Sequence, residues 1–65
     1  MPIAKVIEVI SEGNTIQNAV EAAAEDSAKS VRNVRHVNVE NIQAIVEDGR
    51  VAKYRVNAKV TFVVD

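Results

Sequence analysis

One pair of residues, Asp48-Gly49, constrains this chain more than any other. It stands between two runs of alternating apolar and polar residues within Val34–Val64. A tight type I′ turn needs two central residues that tolerate positive φ, and Asp-Gly supplies both. The stretch therefore reads as one long β-hairpin. A two-residue loop sets its pairing: Glu47 faces Arg50 and Val46 faces Val51. Further out, Val39 meets Ala58, Val37 meets Val60 and His36 meets Thr61. Alternate residues of a strand point to opposite faces. Val37 and Val39 then share an apolar face with Val56, Ala58, Val60 and Phe62. His36, Asn38 and Glu40 share a polar face with Arg55, Asn57, Lys59 and Thr61.

The remainder is short. At 65 residues the chain is expected to form a single domain, 1–65. A core of this size supplies only about 3–5 kcal/mol, and small folds usually add a disulfide, a metal or a partner chain. There is no Cys, which excludes disulfides and cysteine-ligated zinc, and a single His leaves little for an imidazole cluster. Self-association is the option left. A net charge of -1 with interspersed signs draws the chain neither to nucleic acid nor to an anionic membrane. No apolar run approaches the roughly 20 residues that cross a bilayer, and no basic-then-apolar leader opens the chain. A soluble, cytoplasmic protein is the expectation.

Ile3–Ile10 (IAKVIEVI) is a β-branched run of strand length, punctuated by Ser11-Glu12-Gly13. Lys5 and Glu8 fall on its opposite faces. Asn14 or Thr15 caps a helix, with Gln17 three residues beyond Asn14 as in a capping box. The helix is expected from about Ile16 to Val31, with Asn33 ending it. Ile16, Val20, Ala23, Ala24, Ser27 and Val31 form one narrow face, rich enough in Ala to lie close against a sheet. The order is strand, helix, strand, strand. The fold class is α+β: a β-α-β-β subunit whose three-stranded antiparallel sheet curls around one helix.

A helix of about 16 residues spans about 24 Å, whereas each hairpin arm of about 14 residues reaches about 46 Å. Beyond the helix the hairpin has nothing of its own to lean on. There the strict register turns Ile42, Ala44, Val46 and Val51 outward and leaves Ile45 and Tyr54 on the inner face. A ribbon apolar on both faces calls for other copies to cover it, so a homo-oligomer is expected.

No nucleophile, base and orienting group can be assembled from one His, no Cys and three Ser residues that sit in the helix region or its lead-in. Glu47-Asp48 is a turn pair and Glu25-Asp26 a helix-surface pair, while Gly13 and Gly49 are turn glycines rather than a phosphate loop. An enzyme is not expected. The polar face reads either as the solvated side of the sheet or as a ligand surface. Its ends, His36 and Arg55, lie roughly 20 Å apart along the hairpin and meet only across two subunits.

Lys5–Val9 (KVIEV), Ala19-Val20, Ser30–Arg35 (SVRNVR), Val46–Gly49 (VEDG) and Val51–Phe62 (VAKYRVNAKVTF) follow one another in an order and spacing that resembles the dodecins. The resemblance covers essentially the whole chain. It implies twelve copies assembled into a hollow sphere. It also implies a non-catalytic protein that stores or sequesters flavin, as riboflavin, FMN or lumichrome, at subunit interfaces. The position matching the family's flavin-stacking tryptophan is His36, and the position matching its flavin-binding glutamine is Arg55. An imidazole has less π surface than an indole, and a guanidinium only donates where an amide donates and accepts. The resemblance thus leaves open flavin bound through His36 and Arg55, a flavin-free shell binding calcium, and a shell with no ligand. For calcium, which wants several oxygen ligands, Asn38, Glu40, Glu47, Asp48 and Asp65 are the candidates. Aromatics at 3% are too few for a nucleic-acid stacking platform.

Overall fold

The computed structural model describes residues 2–64. Its elements are β1 (Ile3–Gly13), α1 (Ile16–Ala28), β2 (Val34–Glu47) and β3 (Arg50–Val64). The strands form one antiparallel sheet in the order β1-β3-β2. This is the expected β-α-β-β arrangement, with β3 in the middle.

β1 continues three residues past its expected end, because Ser11, Glu12 and Gly13 still pair with Val56, Arg55 and Tyr54. The strand is held there from both sides. Ser11 Oγ donates to the Ala19 carbonyl at 2.6 Å, and the helix entry packs on Gly13. A Cβ on Gly13 would lie 2.5 Å from Ala19 N and 2.8 Å from the Asn18 carbonyl carbon, so only glycine permits this approach.

Thr15 is the N-cap: its Oγ1 accepts from the Asn18 amide at 2.9 Å, satisfying one of the helix's free donors. Gln17 does not close a capping box; its amide donates to Glu21 one turn on. The helix ends at Ala28, three residues before the expected Val31. Both Ser30 and Val31 turn their amides onto the Ser27 carbonyl at 2.9 Å, which closes the last turn. Asn33 then redirects the chain with φ 61, and its side-chain amide donates to the Val63 carbonyl at 3.3 Å. The core lies where Ala19, Ala23 and Ser27 meet Val56, Ala58 and Val60, all six buried. Ala19 joins this face, while Ile16 at its N-terminal end remains 43% exposed.

The turn is as expected, with φ 53 at Asp48 and 75 at Gly49. So is the pairing at both ends of the hairpin: Glu47 with Arg50, Val46 with Val51, Val39 with Ala58, Val37 with Val60 and His36 with Thr61. Between them the register is displaced. Glu40 is an extra residue in β2 and Ala52 an extra residue in β3, so Asn41–Ile45 pair one position off the strict register. A third bulge falls at Arg35. Bulges of this kind bend and twist a strand and re-aim its side chains.

The displacement corrects the faces of the distal arm. Ile42 lies opposite Val56 and Ala44 opposite Tyr54, so both sit on the helix side rather than outward. Alternation places Val46 and Val51 with them, and Ile45 outward opposite Lys53. Tyr54 is on the helix side as expected. β1 stops opposite Tyr54, and beyond it β2 and β3 continue as a two-stranded ribbon. The molecule is consequently elongated, 51 × 19 × 14 Å.

Candidate ligand-binding face

The face turned away from the helix carries the polar groups in rungs set by strand pairing. Val6, Thr61 and His36 form the first rung, and Glu8, Lys59 and Asn38 the next. Ile10, Asn57 and Asn41 follow, and then Glu12, Arg55 and Gln43. Asn41 and Gln43 join this face because of the bulge at Glu40. The strict register had assigned them no role.

Arg55 is not a free cation. Its Nε and Nη2 donate to Glu12 Oε2 at 2.9 and 2.6 Å, and Lys53 Nζ reaches Glu12 Oε1 at 2.8 Å. Hydrogen bonds from Lys53 first and Arg55 second hold the Glu12 carboxyl below the usual glutamate range. Glu12 thereby fixes the guanidinium in place and leaves Nη1 and one Nη2 hydrogen as its available donors. Farther along, Glu40 pairs with Lys59 at 3.1 Å. The hydrogen bond to Glu40, with the nearby Glu8 charge adding to it, raises the Lys59 ammonium above the usual lysine range.

Beside the Glu12–Arg55 pair lies a cleft of about 150 Å³ lined by Ile10, Asn41, Gln43, Arg55 and Asn57. A site that swallows a drug-sized ligand spans roughly 300–1,000 Å³. This cleft holds only the edge of such a molecule. Its wall contains a buried acceptor without a hydrogen-bond partner, Asn57 Oδ1. Leaving such a group unsatisfied costs about 1–3 kcal/mol.

Two wider grooves flank the helix, of about 510 and 570 Å³. In the first, between β1 and α1, Ser11 is engaged with Ala19, Asp26 with Lys29, and Glu12 as above, while Ser27 and Ser30 also line it. The second is bounded by Ser30–Asn33 and Phe62–Val64, a mixture of polar residues with Val31, Phe62, Val63 and Val64. In the smaller cleft every lining residue but Ile10 is polar, whereas both grooves mix polar and apolar residues.

His36 is exposed on the first rung and Arg55 sits on the fourth, roughly 20 Å away along β3. One chain does not bring them together. The oxygen-rich candidates for calcium are likewise dispersed: Glu40 pairs with Lys59, Glu47 and Asp48 lie at the hairpin tip, and Asp65 lies outside the described residues. Among the described residues no three His, Cys, Asp or Glu side chains converge as a metal site, and no helix is long and apolar enough to cross a membrane.

Comparison with known proteins follows this geometry. The fold superposes on a dodecin from Streptomyces coelicolor with a TM-score of 0.91 and 25% identity, covering 98% of this chain and 93% of that one. A dodecin from Streptomyces davaonensis gives 0.91 at 18% identity over 98% and 96% of the two chains. An arginine-to-alanine mutant of the Thermus thermophilus dodecin gives 0.91 at 21% over 100% and 97%. No curated protein matches the chain. The family model described as Dodecin matches residues 3–65. With all four elements inside that match, the chain belongs to the dodecin family.

Proposed function

We infer that the protein is a non-catalytic carrier of a flavin-class planar heterocycle, held where the polar faces of two copies meet in a homododecameric shell. The observation that carries this reading is the cleft beside Arg55, where amide and guanidinium groups converge on a space sized for a ring edge. Family membership supports the ligand class and the twelve-copy assembly. The partner copy supplies what one chain lacks: it brings a His36 toward an Arg55, closing the distance that separates the two within a subunit. His36 then stacks on the ring face and Arg55 meets its edge. Arg55 is already oriented by Glu12, so little freedom remains to be lost on binding. The small π area of imidazole makes binding weaker than an indole would give.

Native mass spectrometry of the protein as purified from cells, without added ligand, tests the reading. The expected spectrum is a twelve-subunit mass carrying flavin-sized adducts. A bare dodecamer that also fails to take up added FMN would overturn it. The variant His36→Trp with Arg55→Gln tests the placement, and flavin affinity is expected to rise at least tenfold. An assembled double variant that ignores flavin would place the site elsewhere. A second reading, a ligand-free or ion-binding shell, draws on the Arg55–Glu12 pair, which occupies a side chain the site would otherwise use.

A further inference from the structure

We propose that the distal ribbon of one copy seats in the groove at the opposite end of another copy, on the helix side of the sheet. This rests on the self-association inferred above and not on the ligand. Its starting point is a mismatch within the single chain. Ile42, Val46 and Val51 are exposed on the helix-side face of the hairpin, toward its tip. At the other end, a groove of about 570 Å³ lies between the turn that follows α1 and the end of β3. Val31, Phe62 and Val64 are among its lining, and Ile3, paired with Val64, adds an exposed apolar side chain beside it. One chain cannot bring the two features together. Arg50 and Phe62 stand near opposite ends of β3, about 40 Å apart.

Charge favours the same pairing. The ion pairs among the described residues join Lys29 to Asp26, Lys53 and Arg55 to Glu12, and Lys59 to Glu40. Outside these pairs stand Lys5, Arg32 and Arg35 at the groove end, and Glu47 and Asp48 at the ribbon tip. Arg50, opposite Glu47, offsets one of the two tip carboxylates. The groove end is therefore basic and the tip acidic. Two groove ends would repel each other, as would two tips, so the contact joins unlike ends.

An assembly larger than a pair needs a contact of this kind. A patch that meets its own copy, as polar face meets polar face, joins two chains and no more. The ribbon and the groove both lie on the helix side of the sheet. They stay open when the polar faces have met, and they can each take a further copy.

The chain has no Cys, so disulfide trapping tests the contact without background. Val46→Cys puts a thiol on the ribbon and Ser30→Cys one in the groove, both at exposed positions. With both substitutions in one chain, mild oxidation is expected to give covalent multimers on a non-reducing gel. Either substitution alone is expected to leave monomers. The two thiols lie too far apart within a chain for an internal bridge. Val51→Cys with Val64→Cys supplies an independent second pair if the first variant does not fold. Cross-links formed equally well by single variants overturn the proposal, because they join like ends. A twelve-subunit native mass with no covalent multimers from either pair also overturns it, and leaves the shell and its ligand standing. A protein that stays monomeric overturns both the proposal and the shell.

Discussion

Glu12 is the residue whose loss would be felt most widely on the polar face, because one carboxylate restrains both Lys53 and Arg55. Its folded value is depressed, so the stabilisation it gives is complete above the ordinary glutamate range and is lost as pH falls through the lowered value. The wild-type protein is expected to lose thermal stability on acidification through and below that range, and Glu12→Gln to lose less. Unfolding midpoints measured from neutral to acid pH check this; parallel curves for the two proteins would contradict it. Gly13 matters through contact instead. Gly13→Ala drives a methyl group against the backbone of Ala19 and Asn18, neither of which can swing aside. A loss of about 1–3 kcal/mol is expected, read from chemical denaturation. From the sequence Gly13 was recognisable as punctuation, but not as the site of helix approach. That role depends on β1 running on to pair with Tyr54.

Of the elements, the hairpin was the most legible, because turn chemistry and alternation agree at both its ends. Gly49→Ala is expected to cost about 1–2 kcal/mol in denaturant unfolding from conformation alone, since φ is 75 there and no atom lies within 4 Å of the added methyl. The middle of the hairpin was misread for a physical reason. Glu40-Asn41 are consecutive polar residues, after which the apolar positions move from odd (Val37, Val39) to even (Ile42, Ala44, Val46). Read as continuous alternation, that change exchanges the two faces. A bulge absorbs it instead, keeping Ile42 with Val56 and turning Asn41 and Gln43 toward the cleft. The candidate site was accordingly half visible: His36, Arg55 and Asn57 could be placed by register, whereas Asn41, Gln43 and the Glu12 clamp required the bulge and the longer β1. The helix end was misjudged for a related reason. Val31 continues the apolar periodicity, but its amide folds back onto Ser27 in a closing turn.

For the molecule as a whole, the distal ribbon is the feature one chain cannot account for. Ile42, Val46 and Val51 are 48, 61 and 50% exposed on the helix-side face, past the point where β1 stops. In the proposed shell this surface lies against neighbouring copies. Ile42→Asp, placing a charge there, is expected to dissociate the assembly, with the shift read by native mass spectrometry or sedimentation. An unchanged mass would move the interface elsewhere.

The strand order also governs when this chain can begin to fold. β3 lies between β1 and β2 but is synthesised after both. Until Arg50–Val64 has left the ribosome, neither earlier strand has a neighbour to pair with, and the valines that α1 covers have not been made. The sheet therefore assembles only once β3 is available. A pulse-labelled nascent chain halted at Gly49 should remain protease-sensitive, and protection should come only with the strand that joins the other two.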